Sequence, residues 1–464
     1  MLDIAIVIAY LAAMVAVGVI RKRQKLTADT FFVAGRKGST LYITGSLFST
    51  IVGGSATIGM AGLAFSRGLT GGWWLLAGTV GLIFLAILFA KKVRSFGLYT
   101  LPGLIEKQYG KTAALAASVL ISVAWLGVIA GQIIAAGKIM SVLGTGTPTF
   151  WMVVFSTVFT LYTAIGGQWA VIKTDTWQAG IIYAGIFAAF GVAITKTGGF
   201  DGLWRHLPAS FGSFPLAPTF GPYDLVKTLL LVGLPYVVGP DMYTRLFSAR
   251  DAGTAQRAAY TTAALLVPLT AVIVLLGMSA AVLFPGIAPE QAFPSIIKES
   301  LPAFIDGLVL AALLAAVMSS ADTCLMSVGA IVATDIAKKI RPKMTENGTL
   351  VVSRTAIVSV GVLSLGLALF LQGVISSLMF AYTIYTSGVI PLVIAGFYKE
   401  RLRVTPTGAL VALVGGGAIG LISQLMKVKY LDLGALAASV GLLFAVSAVE
   451  NAVRARGRRL ARAR

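Results

Sequence analysis

Cysteine and histidine are almost absent from this 464-residue chain, which holds one of each, Cys324 and His206. A single cysteine closes no intrachain disulfide, and Cys324 lies in an apolar run where it reads as a small core residue. One loop histidine leaves no His/Cys spacing for a zinc site, and His206 reads as a surface residue. Charge is also scarce. Acidic and basic residues together make up 12% of the chain, about half the share of an ordinary globular protein. No P-loop, nucleophile elbow or kinase-like module is present, so ATP-driven work would need a separate partner. Long stretches between apolar runs, such as 197–225 and 285–305, are too short for an enzyme or receptor module.

What the chain has instead is apolar length. Hydrophobic residues make up 57% of it, with 52 glycines. About thirteen apolar runs are long enough to cross a bilayer, at 2–20, 41–65, 70–90, 113–142, 148–165, 174–195, 226–244, 259–284, 306–334, 354–372, 374–396, 407–427 and 430–449. In hydrocarbon every backbone polar group must be paired within the protein, so these runs predict an all-α polytopic membrane protein. The first run has no basic segment before it and no cleavage signal after it, and reads as a retained helix.

The net charge of +20 is a topology signal. Basic residues cluster after runs one, three, seven, nine and eleven, as in Arg21–Lys25, Lys91–Arg94, Arg245–Arg250, Lys338–Lys343 and Lys399–Arg403, and again in the tail at 450–464. The positive-inside rule then puts the N-terminus outside and the C-terminus in the cytoplasm, in an inner or plasma membrane. Anionic membrane lipid suits such a surface, and a nucleic-acid role does not.

Two runs are interrupted midway. One reads Ser49-Thr-Ile-Val-Gly-Gly-Ser-Ala-Thr-Ile-Gly59, with Gly53 and Gly54 at its centre. The other reads Leu234-Pro-Tyr-Val-Val-Gly-Pro-Asp241, where Pro235 and Pro240 each remove a backbone donor. Paired discontinuous helices point to a transporter with inverted repeats, whose opened backbone binds cations. A simple kink is the plainer alternative. Farther on, Ala316, Ser319 and Ser320 are spaced i, i+3, i+4 and share one helix face. Two hydroxyls there, with carbonyls from a broken helix, would supply the oxygens that sodium needs; the serines could equally bond their own i−4 carbonyls. Asp322 is costly inside a crossing unless paired, protonated or hydrated, and Thr323 adjoins it. Asp175, near the start of the sixth run, reads either as a helix N-cap or as part of an inner cation site.

Several motifs in order resemble the sodium:solute symporter family, over residues ~1–430. They are Asp29–Arg36 (DTFFVAGR), 166–178 (GGQWAVIKTDTWQ), Arg245–Arg250 (RLFSAR), Ala315–Ser320 (AAVMSS) and Pro391–Arg401 followed by Thr405, Pro406 and Gly408. The resemblance implies a five-plus-five inverted-repeat core, 41–196 and 226–396, with peripheral helices at 1–20 and 407–449 in one membrane domain. It implies sodium-coupled solute uptake by alternating access, with no cofactor, no enzyme activity and no obligatory protein partner. By motif position, sodium would be bound by the carbonyls of Ser49, Val52 and Ala316 and the hydroxyls of Ser319 and Ser320. A second sodium would fall among Asp175, Ser319, Asp322 and Thr323. Asp322 departs from the small or hydroxyl residue usual there, which leaves proton coupling open. The solute lining would be Gly53, Gly54, Ser55, Thr57, Gln132, Tyr236, Gly239, Asp241, Tyr382 and Tyr385, with packing as the alternative for the aromatics. Sugar-carrying members have Asn-Gln-Tyr where this chain has Gly239-Pro240-Asp241, so the expected solute is an amino acid or a monocarboxylate. Asp241 would either pair with Arg245 as an inner gate or face an ammonium in the cavity. The runner-up readings are a proton-coupled importer of the same fold and a symporter-like sensor or regulatory subunit.

Overall fold

The computed structural model describes residues 5–9, 12–13, 27–144, 146–166, 168–302, 304–428 and 430–462. The expected first crossing and the basic cluster after it fall largely outside these. The helices that matter below are α1 (Thr40–Ile51), α2 (Met60–Arg67), α3 (Trp73–Phe84), α4 (Lys111–Ser141), α5 (Pro148–Gly166), α6 (Gln168–Lys196), α7 (Pro222–Thr228), α8 (Pro240–Ser248), α9 (Ala252–Leu283), α10 (Ile305–Ala330), α11 (Glu346–Leu371), α12 (Val374–Gly388), α13 (Ile390–Gly396), α14 (Pro406–Met426) and α15 (Leu431–Arg462). Among the described residues, β structure is limited to two isolated bridges. Among the described residues, ten helices are long and apolar enough to cross a membrane, or eleven if α12 and α13 form one span bent by 42°. The chain is a multi-pass membrane protein.

The described residues do not confirm the expected count of thirteen: the first run falls largely outside them, and other runs merge or fall short. One long run, Ser55–Ser95, contains a sharp reversal at Gly68–Gly72. There Gly68 has φ +67°, and a Cβ on Gly71 would lie 2.5 Å from the Ala64 nitrogen. Helix α1 is a 12-residue half-crossing, too short to count alone. Pro391 near the start of α13 explains the bend after α12, because its ring clashes with the preceding turn. The expected tail from 450 continues α15 as helix to Arg462.

Both interrupted runs are broken in the structure. Helix α1 starts on the Ser39 cap and ends where Val52 leaves helical geometry at ψ 50°; Gly53 and Gly54 follow, residues that resist helix propagation. The chain resumes through a π-turn at Ser55–Gly59 into α2. In the second run, α7 passes through a π-turn at Leu229–Gly233 to Leu234–Val237. Gly239 is then extended, φ −129° and ψ 136°, as a residue before proline tends to be. Pro240 opens α8 at the one position where a missing N–H costs nothing.

Helix α10 is the axis of the bundle, packed against α1, α4, α5, α6 and α11. Its small residues allow that enclosure: 94% of its most apolar window is buried. Helices α14 and α15 pack mainly on each other and on α12. At one end, the segment before α1 is tied to the segment after α8. Gly38 N–H donates to Ser248 O at 3.0 Å, and Arg250 N–H donates to Gly38 O at 2.9 Å. Arg94 reaches the same strap through Nε to Ala249 O at 2.5 Å.

Candidate cation and solute site

The broken end of α1 meets the middle of α10. Ser320 Oγ lies 2.7 Å from Thr50 O, 3.1 Å from Ala316 O and 3.4 Å from Ser49 O. One hydroxyl hydrogen fills one acceptor well, so lone pairs remain on this cluster of carbonyls. The cluster is buried and carries no formal charge. Gly53 makes the approach possible: a Cβ there would collide with Ser320 Oγ and sit 2.8 Å from Gln132 Oε1. Gln132 from α4 pins the break by accepting from Gly54 N–H at 2.8 Å.

Ser319, the other expected hydroxyl, turns instead to Asp175, donating to Oδ1 at 2.5 Å. Asp175 Oδ2 accepts from Ser46 Oγ at 2.5 Å and from Arg245 Nη2 at 3.4 Å. Arg245 Nη2 also donates to Thr323 Oγ1, whose own hydrogen goes to Ser319 O at 2.8 Å. Arg245 and Asp175 are both essentially unexposed, a buried ion pair linking α8 to α6. Asp175 is therefore no helix cap: α6 begins seven residues earlier, at Gln168. Of the expected second cation group, Asp175, Ser319 and Thr323 come together around a guanidinium. Asp322 points to another neighbour, with Oδ1 2.5 Å from Thr163 Oγ1 on α5. That hydroxyl is also 2.7 Å from Phe159 O. Thr163 has one hydrogen for two acceptors, so both contacts are filled only when the carboxyl brings a proton of its own.

A narrow cavity of about 30 Å³ lies beside the carbonyl cluster. Of the expected lining residues, Ser55, Gln132, Tyr236, Asp241 and Tyr382 border it, together with Thr50, Trp125, Ser320 and Cys324. Gly53, Gly54, Thr57, Gly239 and Tyr385 do not. Thr57 bonds back to Gly53 O at 2.9 Å. Tyr385 is fully buried, donates to Val238 O at the second break at 2.5 Å, and packs edge-on against Trp125. Its role here is to satisfy a carbonyl that the break sets free. The expected gate pair is absent: among the described residues Asp241 has no ion pair, because Arg245 is engaged by Asp175. Sequence reasoning missed Thr50, Ser46, Trp125 and Thr163, and it offered Arg245 to Asp241 rather than to Asp175. Thr50 was accessible to it, since any carbonyl in the last turn of a broken helix loses its partner. The others depend on helices remote in sequence.

A profile of the sodium:solute symporter family matches residues 31–416. The chain belongs to this family. It is 27% identical to a sodium/glucose cotransporter of Vibrio parahaemolyticus, over 92% of this chain and 86% of that protein. It is 25% identical to the sodium/pantothenate symporter of Escherichia coli (strain K12), over 91% of both. Its fold matches that of a Na+-coupled sialic acid symporter in a substrate-bound, outward-open state, with a TM-score of 0.81 at 19% identity over 97% of this chain and 98% of the other. MhsT in complex with L-phenylalanine shares the fold more distantly, with a TM-score of 0.57 at 14% identity over 88% of this chain and 99% of the other. Family members are sodium-coupled solute transporters, and this chain has the fold of one.

Proposed function

We propose that this family member couples inward sodium flow to uptake of a small organic solute by alternating access. The observation that carries the reading is the surplus of oxygen acceptors around Ser320, from Ser49, Thr50 and Ala316, on the wall of the cavity. A hard, weakly charged cation fits neutral oxygens, and a broken helix is where a membrane protein has carbonyls to spare. The cavity is also lined by Pro235, Tyr236, Asp241 and Met242, which flank the second break, so cation and solute would bind between two elements able to move apart. Each sodium entering would release ~2.3 kcal/mol per 100 mV of membrane potential, before any concentration gradient. On this reading Ser320 and the three carbonyls, with Val52 at the break, take sodium. Ser319 completes the set when it releases Asp175, and the Asp175–Ser319–Thr323 group is where a second cation would compete with Arg245. The basic loops make the C-terminal end cytoplasmic.

The experiment is uptake by the purified protein in proteoliposomes, across a broad panel of labelled organic solutes. It uses a sodium gradient, a proton gradient alone, and no gradient. Accumulation that needs inward sodium supports the reading. Accumulation driven by protons alone reassigns the ion, and flux of no solute under any gradient rejects transport.

A further inference from the structure

The charge lining the cavity has one sign. Asp241 contributes a carboxylate, and among the described lining residues there is no lysine, arginine or histidine. The nearest basic side chain in sequence, Arg245, is one helical turn farther along α8 and is turned to Asp175 and Thr323. Asp241 sits in the first turn of α8. A helix N-terminus favours an anion there. A carboxylate has about four acceptor positions to offer. Asp241 keeps part of its surface open, and that opening is into the cavity. A carboxylate held away from bulk water is costly unless it is protonated or paired, and a positive partner in the cavity would remove the cost. Trp125, Tyr236 and Tyr382 surround the same space, and aromatic faces attract ammonium groups.

We infer that the solute taken by this cavity carries a positively charged ammonium group, received by Asp241. This rests on the transport reading of the same cavity and narrows it. A monocarboxylate would face like charge, and a neutral sugar would leave the carboxylate without a counter-ion. An amino acid, an amine or a quaternary ammonium compound meets the requirement.

The test uses matched solutes that differ only at the ammonium, on the full chain in lipid nanodiscs and in proteoliposomes. L-alanine is compared with L-lactate, ethanolamine with ethylene glycol, and choline with 3,3-dimethyl-1-butanol, alongside the other standard amino acids. The readouts are thermal stabilisation and sodium-driven uptake. Ammonium members are expected to act at concentrations at least tenfold below those of their counterparts. Asp241→Asn is expected to weaken them at least tenfold and Asp241→Glu less, with the sodium concentration for half-maximal uptake changed less than twofold. The wild-type comparison stands by itself if either variant fails to fold. Equal or better action of the lactate and alcohol members overturns the inference, as does unchanged solute affinity in Asp241→Asn. A variant that shifts sodium dependence but not solute affinity also overturns it, because Asp241 would then hold sodium. Sodium-driven uptake of lactate or a polyol with no response to ammonium solutes rejects this inference and leaves symport standing. Absence of any solute-coupled flux rejects both.

Discussion

Arg245 pairs with Asp175 on α6, 3.4 Å away, and not with Asp241 one turn back on its own helix. The pair is fully enclosed, so its two members depend on each other. Removing one partner of a buried pair costs about 3–5 kcal/mol, because the other is left as an uncompensated charge. Arg245→Gln and Asp175→Asn are each expected to lower the thermal midpoint sharply. The double variant, which removes both charges, should recover most of the loss. Equal losses that simply add would show that the two residues act separately.

Ser320 and Ser319 should separate in function despite their adjacency. Ser320→Ala removes the hydroxyl nearest the carbonyls of Thr50 and Ala316. It is expected to raise the sodium concentration for half-maximal uptake about tenfold, or ~1.4 kcal/mol, without a comparable loss of folded yield. Ser319→Ala also takes a hydrogen bond from Asp175, so it should cost stability as well. The double variant should nearly abolish coupling. Sodium titration of uptake, run beside thermal unfolding, checks both.

Gly53 should tolerate no side chain. In Gly53→Ala the new Cβ meets Ser320 Oγ and lies 2.8 Å from Gln132 Oε1. Overpacking of this kind costs about 1–3 kcal/mol, and here it also disturbs the carbonyl cluster. Gly366→Ala is the control, because its Cβ would enter open space. Loss of sodium-driven uptake in the first variant and its retention in the second is the expected pattern.

One acid-sensitive contact lies outside the spans. Asp251 caps α9, and the Thr254 N–H at 2.7 Å and hydroxyl at 2.9 Å hold its carboxyl below the usual range. A depressed carboxyl stabilises the fold above its unfolded pKa, ~3.9, and loses that contribution as pH falls through the lower folded value. Asp251→Asn should therefore be less stable than the wild type at neutral pH, with the difference fading below about pH 4. Thermal melts across pH 3–7 measure the difference.

The all-helical class and both helix breaks were legible because each has a local cause. Apolar length gives the crossings, the Gly53–Gly54 pair ends α1, and Pro240 forces Gly239 out of helical geometry. The neighbourhood of Ser49, Ala316 and Ser320 was legible from helical spacing and family motifs together. Partner choice was not. Asp241 and Arg245 are spaced i, i+4 and suggest a pair, but Asp175 lies 70 residues away in sequence and takes the guanidinium. Asp322 showed its expense without showing Thr163. The reversal at Gly68–Gly72 merged two expected crossings into one continuous run because short helical turns bridge it.

The strap between Gly38 and the Ser248–Arg250 segment is made of main-chain bonds. Such a joint takes no bond from a side chain, although a Cβ on Gly38 would lie 2.9 Å from Ser248 O, and only proline deletes its donors. Apart from Gly38, an alanine scan would cross both segments in silence, even if parting them were the slow step of the transport cycle. The joint would announce itself elsewhere, in the deuterium uptake of two amides, Gly38 and Arg250, rising together whenever that end of the protein opens.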